Sequence, residues 1–270
     1  MNETDTLIDL ISKKEKLAAM LAPSFPIVFS YPAIITMLKK LGFSYTAEVA
    51  AGAKRTNEQI LKLLKENPNA RFITSPCPTV VRMIRKQMPE YIKFLTNGVD
   101  SPMVATAKIV RERFPGCRPV FIGPCIVKKL EAVEDVPELN ILVLTYTELE
   151  QIFARFNIKE ESNPNDKFDI VETGMTRIYP IDGGLSHSSG LSQHFKEGEI
   201  QIVSNWKNCL KAIKNFASDT KVRLLDILFC EGGCIGGPGI QSTLTIEERK
   251  DKILKFWSSN SSSKPNKIPA

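Results

Sequence analysis

The sequence predicts an α/β fold. Short apolar runs of strand length alternate with longer segments of helical period, and three of the runs lead into turns that contain cysteine. Size and composition agree. A chain of 270 residues, 43% hydrophobic and 24% charged, can bury a sizeable core as one large domain or two lobes.

The elements follow in order. Thr6 to Leu21 reads as one helix, with Leu7, Leu10, Ile11, Leu17 and Met20 near one face, stopped by the prolines of Ala22-Pro23-Ser24-Phe25-Pro26. Ile27-Val28-Phe29 reads as a short strand, and Ala33 to Leu41 as a helix closed by Gly42. Arg71 to Thr74 is a buried-strand candidate that passes through Ser75-Pro76-Cys77-Pro78 into a helix from Thr79 to Lys86. Val120-Phe121-Ile122 repeats that plan, with Gly123-Pro124-Cys125 as its turn. Ile141 to Leu144 gives a further strand, Thr147 to Phe156 a helix, and Trp206 to Phe216 an apolar-periodic helix that carries Cys209. Last, Leu224 to Phe229 is an apolar run interrupted only by Asp226, and it enters Cys230-Glu231-Gly232-Gly233-Cys234 directly. Residues 1–257 are expected to form the folded domain. The segment 258–270, rich in Ser, Asn, Pro and Lys, lacks the apolar residues to offset the entropy of ordering and is expected to be a disordered tail.

No stretch approaches the roughly 18 unbroken apolar residues that span a bilayer, and the N-terminus has no basic region followed by an apolar one. A cytoplasmic protein without membrane contact is expected. The formal net charge of +6 is spread along the chain, which gives little support for nucleic-acid binding and suits the steering of an acidic electron carrier. Six cysteines in a reducing compartment point to metal binding rather than to a disulfide framework. The two histidines, His187 and His194, are too few and too poorly spaced to build a typical zinc site with them.

Four of the cysteines stand out. Cys77, Cys125, Cys230 and Cys234 lie at strand-to-turn junctions, and open α/β sheets bind ligands beyond the carboxyl ends of their strands. Thiolates are the ligands that iron–sulfur clusters prefer, so four of them suit one cubane. The glycines around Cys230 and Cys234 let the backbone wrap closely about a bulky group. Cys209 reads as a small buried hydrophobe, and Cys117 as a turn residue outside the set.

With those segments in view, the chain resembles the [FeFe] (iron-only) hydrogenase catalytic domain. Thr-Ser-Pro-Cys-Pro (74–78), Gly-Pro-Cys-Ile-Val-Lys-Lys-Leu-Glu (123–131) and Phe-Cys-Glu-Gly-Gly-Cys-Ile-Gly-Gly-Pro-Gly (229–239) are similar to its three cluster-binding signatures, in the same order. Further matches are Ala22-Pro23-Ser24, Gly52-Ala53, Pro89-Glu90 followed by Ser101-Pro102, and Tyr179-Pro180-Ile181-Asp182-Gly183-Gly184. The resemblance implies two lobes with small, mostly parallel sheets flanked by helices and a cluster in the cleft. It implies that Cys77, Cys125, Cys230 and Cys234 hold a [4Fe–4S] cubane, and that Cys234 bridges to a two-iron subsite with CO, cyanide and a bridging dithiolate, the H-cluster. It implies that Lys128 donates to one cyanide, and that Pro23 and Ser24 contact the other. Reversible hydrogen evolution and oxidation, 2H⁺ + 2e⁻ to H₂, is the implied activity; ferredoxin or a similar carrier and the H-cluster maturation proteins are the implied partners.

The chain departs from the family at four positions. Pro76 stands where catalytic members carry the proton-relay cysteine, Gly123 and Leu228 replace two methionines that pack on the two-iron subsite, and Lys54 replaces an acidic residue. Loss of a positioned proton donor removes a contribution of about 10²–10⁴-fold, so slow turnover is expected. A hydrogen-sensing protein with little turnover, and an iron–sulfur protein that holds the cubane alone, are the alternatives that these departures raise.

Overall fold

The computed structural model describes residues 2–259. Its strands are β1 (Leu17–Leu21), β2 (Tyr45–Glu48), β3 (Phe72–Ile73), β4 (Arg118–Gly123), β5 (Leu142–Thr145), β6 (Ile200–Ser204) and β7 (Leu224–Leu228). Its helices are α1 (Glu3–Ser12), α2 (Ala33–Leu41), α3 (Val49–Glu66), α4 (Pro78–Gln87), α5 (Pro102–Arg113), α6 (Lys128–Leu130), α7 (Tyr146–Arg155), α8 (Gly184–Ser188), α9 (Trp206–Phe216) and α10 (Ile246–Ser259). The strands build two sheets, one of order β2-β1-β4-β5 and one of order β3-β7-β6, and every strand pair in both is parallel. The expected α/β architecture of small parallel sheets flanked by helices is therefore present.

The N-terminal reading changes. The helix ends at Ser12 instead of continuing to Leu21, Lys14 takes a positive φ of 54°, and the chain re-enters as β1. Leu-Ala-Ala-Met-Leu is apolar at every position because β1 is central and buried on both faces, so it shows no alternation and merges with the helical pattern before it. Ile27-Val28-Phe29 is not a strand either. Phe25–Ile27 forms a 3-10 turn, started by Pro26, which drives Phe25 edge-on against Phe168 and Phe256. The final helix α10 runs to Ser259, two residues into the expected tail, and the rest of that tail lies outside the described residues.

Each sheet has its own core. Leu17, Met20, Val120, Ile122 and Leu144 pack under α2, α5 and α7 in one, and Ile73, Leu225 and Ile227 pack against Val80, Ile84, Ile213 and Phe216 of α4 and α9 in the other. Full burial of such side chains stabilises by about 1.5–3 kcal/mol each. Close approach of α3 and α5 joins the lobes. At Gly52 an added Cβ would stand 2.1 Å from Thr106 Oγ1 and 2.3 Å from the Pro102 carbonyl, so only glycine permits this crossing.

Candidate metal centre

The four cysteines come from both sheets to within electrostatic reach of one another. Cys125 follows β4 of the four-stranded sheet, Cys77 follows β3 and caps α4, and Cys230 and Cys234 follow β7. Backbone bonds lock the three segments together. Thr74 donates to the Leu225 carbonyl at 3.0 Å and its hydroxyl accepts the Ile227 amide at 3.2 Å, while Gly239 donates to the Pro124 carbonyl at 2.8 Å. The Cys230–Cys234 loop is held from its far side. Gly233, at φ 93°, pairs with Ile181, and a Cβ there would lie 2.6 Å from the Pro180 carbonyl, so the turn requires glycine.

Electrostatics show the convergence. Burial pushes the Cys230 thiol up to about 12, with the neighbouring charges of Cys77, Cys125 and Cys209 adding to the shift. Burial also raises Cys234 far above the ordinary thiol range, followed by Cys77, Cys125 and Cys230. Cys125 is raised by burial and by Cys77, against the pull of Lys128 and of the Val127 and Lys128 amides, which donate to its sulfur. Cys125, Cys230 and Cys234 so placed resist joint ionisation without a cation, and the positive charge of bound iron is what would let them be thiolates. Among the described residues no three His, Cys, Asp or Glu side chains gather closely enough to hold a single metal ion.

Of the other two cysteines, Cys209 adjoins the set but is engaged with the backbone, and Cys117 lies away from it. Cys209 is fully buried and its thiol, raised by burial to about 12, donates to the Leu228 carbonyl at 3.3 Å. Cys117 is buried in the opposite lobe, where burial raises its thiol to about 11.

Beside Cys125 and Cys234 lies a cavity with largely apolar walls. Pro23, Ser24, Pro76, Phe121, Lys128, Tyr179 and Leu228 all line it, with Val49, Ala53, Pro102 and Met103 of α3 and α5 on its far wall. The structure thus brings Pro23, Ser24 and Lys128 together with two of the four cysteines. Their polar groups are engaged within the protein. Lys128, 7% exposed, donates to Glu131 Oε2 at 2.6 Å, to Ser101 Oγ at 3.0 Å and to the Pro76 carbonyl at 3.4 Å. Tyr146 gives its phenol proton to the Ala22 carbonyl at 2.9 Å, so Ser24, 2.9 Å away, acts as donor to Tyr146. Gly123 leaves room that the Phe121 ring fills, since a Cβ there would meet the ring at 2.6 Å. Lys54 is absent from the cavity; it is 61% exposed, 3.7 Å from Glu172.

Two contributors escaped the sequence reading. Arg249 of α10 donates to the Ile235 carbonyl at 2.9 Å, the Ser242 carbonyl at 2.8 Å and the Leu244 carbonyl at 3.0 Å, which clamps the chain leaving Cys234. Glu131 was visible only as the last residue of the second signature, with no sign that it neutralises Lys128. Neither has a local pattern to announce it.

Comparison with known proteins agrees with this geometry. The family model described as iron only hydrogenase large subunit, C-terminal domain, matches residues 15–238. The cytosolic Fe-S cluster assembly factor NAR1 of Encephalitozoon cuniculi is 25% identical over 198 residues, 65% of this chain and 54% of that protein. The probable cytosolic Fe-S cluster assembly factor oxy-4 of Caenorhabditis elegans is 22% identical, over 82% of this chain and 60% of that protein. The NADP-reducing hydrogenase subunit HndD of Solidesulfovibrio fructosivorans is 22% identical, over 75% of this chain and 44% of that one. The chain thus spans about half of the length of these relatives. A solved variant of the [FeFe]-hydrogenase HydA1 from Chlamydomonas reinhardtii shares the fold, with a TM-score of 0.74 at 18% identity over 98% of this chain and 91% of that one. Among the described residues no helix is long and apolar enough to cross a membrane. With its matched segment reaching from β1 through the third cysteine signature, the chain belongs to the family of the iron-only hydrogenase large subunit, C-terminal domain.

Proposed function

We propose that this chain is a cytoplasmic hydrogenase-type iron–sulfur protein. Cys77, Cys125, Cys230 and Cys234 would hold a [4Fe–4S] cubane, and the cavity beside Cys234 would receive the two-iron subsite with CO, cyanide and dithiolate. That group, when bound, supplies the site at which 2H⁺ + 2e⁻ and H₂ interconvert. One observation carries the reading: Pro23, Ser24 and Lys128 line the same cavity as Cys125 and Cys234. A cubane alone gives no reason for a second, apolar chamber against one of its ligands.

The residues then divide the work. Cys234 would hold both metal groups, and the apolar walls from α3 and α5 would keep bulk water from them. Lys128, paired with Glu131 at the cavity wall, would stabilise a buried anionic ligand by giving up one of its protein partners. Pro76 puts no proton donor at the family's relay position, so turnover is slow and the site is suited to sensing as well as to catalysis. Electrons enter the cubane from ferredoxin or a similar acidic carrier, steered by the net charge of +6, and maturation proteins of the host deliver the two-iron group.

A second reading rests on the donors that are already used. Lys128 and Ser24 have protein partners in Glu131, Ser101 and Tyr146, and two relatives are named Fe-S cluster assembly factors, which favours an iron–sulfur protein with the cubane alone, as in an assembly role. Infrared spectroscopy separates the two. Anaerobic protein with a reconstituted cubane, treated with a synthetic two-iron precursor and desalted, should show sharp CO and cyanide bands that change under hydrogen. If the cubane forms and no such bands persist, the cubane-only reading stands and the hydrogenase reading falls.

A further inference from the structure

Among the described residues, Tyr179 is the residue on the cavity wall whose buried polar atom has no hydrogen-bond partner. It is 6% exposed, and an enclosed hydroxyl left unpaired is costly. The backbone around it is fixed against the cysteine loop. The neighbouring Pro180 carbonyl accepts the Ile235 amide at 3.3 Å, and Ile181 pairs with Gly233.

The polar groups around this hydroxyl bond elsewhere and not to it. Asp226 takes the Ser186 amide at 3.1 Å and the Ser186 hydroxyl at 2.7 Å, both on Oδ2. Tyr146, the other phenol that senses Cys234, is satisfied through Ala22 and Ser24. Burial first, then the negative charges of Asp226 and Cys234, push the Tyr179 phenol well above its ordinary range, so it remains a protonated donor. The three protons of Lys128 are spent on Glu131, Ser101 and Pro76. Tyr179 is thus a cavity-lining residue whose own donor has no protein partner.

Resting on the function proposed above, we infer that Tyr179 is a ligand-binding residue whose hydroxyl donates a hydrogen bond to an electron-rich acceptor atom of the metal group held through Cys234. On that function the acceptor is a cyanide of the two-iron group; with the cubane alone it is a sulfur of the cluster or of Cys234. Both acceptors are compact, polarisable and negatively charged, as a buried phenol requires of its partner.

The test is Tyr179→Phe in the whole chain, which removes the hydroxyl and keeps the ring. Cluster-free Tyr179→Phe should melt at or above the wild-type temperature, because only an unpaired group is lost. With the cubane rebuilt and the synthetic two-iron precursor added, the variant should retain several-fold less of the two-iron group after desalting and show a displaced cyanide band. A wild type that loads and a variant with identical bands and retention would overturn the inference, with cavity water as the hydroxyl's partner. A lower melting temperature of the cluster-free variant would also overturn it, since the hydroxyl would then have a protein partner. If the wild type itself keeps no bands, the proposed function fails by itself. The reduced cubane's paramagnetic resonance spectrum then decides: a shift in the variant supports donation to sulfur, and an unchanged spectrum overturns it.

Discussion

The thiol cradle and the cavity beside it share Cys125 and Cys234, yet they are built to different standards. In the cradle all four family positions carry cysteine, and short backbone bonds tie the three segments to one another. In the cavity the resemblance puts Pro76 at the relay position and Leu228 at a methionine position, and Lys128 and Ser24 are bonded to their own protein. On the proposed function, holding a cluster and using it are therefore separable properties. A cubane needs four thiols at the ends of strands, which the backbone alone fixes. Turnover needs donors left free at the right wall of a cavity, and that depends on single side chains.

The comparison breaks first at the cysteines. Cys234→Ala, or alanine at Cys77, Cys125 or Cys230, should abolish the brown cluster absorbance of reconstituted protein and return its melting temperature to that of the cluster-free chain. Retention of both colour and melting temperature after all four replacements would remove the metal centre altogether. Next in size is Pro76→Cys, read as hydrogen evolution from reduced viologen by protein carrying the two-iron group. Turnover should rise by about 10²–10⁴-fold while the cubane absorbance stays the same. An unchanged rate would place the limit elsewhere than at the missing donor.

The Lys128–Glu131 pair sharpens the contrast from the stability side. Both side chains are about one-tenth exposed, at 9% and 11%. Glu131→Gln should lower unfolding free energy by about 3–5 kcal/mol in urea titration, because it strands a buried ammonium. The double change Lys128→Met with Glu131→Leu should recover most of that loss, since no charge remains buried. If the single change were silent, Lys128 would be free to serve a ligand instead of the fold.

The smallest effect belongs to a control outside the cavity. Glu148 completes the capping box of α7 with Thr145 and pairs with Lys129 at 2.6 Å. Burial works against its charge, but the bonds from Lys129 and Thr145 outweigh it and hold its carboxyl below the ordinary range. A lowered folded-state pKa stabilises above the unfolded-state value and is lost as pH falls through the folded-state one. Glu148→Gln should cost about 0.5–2 kcal/mol at neutral pH, and the gap to wild type should close in acid, with cluster absorbance untouched throughout.

Much of this was legible in the residues. Cys77, Cys125 and the Cys230–Cys234 pair each announce themselves through a preceding apolar run and a Pro- or Gly-rich turn, which are local signals. Helices such as 33–41 and 206–216 read correctly because their period and their ends are local too. β1 did not, since a strand buried on both faces loses the alternation that marks it, and the 3-10 turn at Phe25 was hidden by a β-branched run that packs as a corner. Arg249 carried no signal, because its value lies in carbonyls brought to it by the fold.

By itself the sequence determined the α/β class and singled out the four thiols as candidates, because strand length, turn chemistry and cysteine spacing are properties of neighbouring residues. Tertiary structure alone decided what each donor near those thiols is free to do. Lys128 meets Glu131, Ser101 and Pro76, Ser24 meets Tyr146, and the Tyr179 hydroxyl meets no protein group, in a space closed by residues far apart in the chain. A hydrogen bond is used or spare according to what stands within about 3 Å of it, and that distance is set by packing.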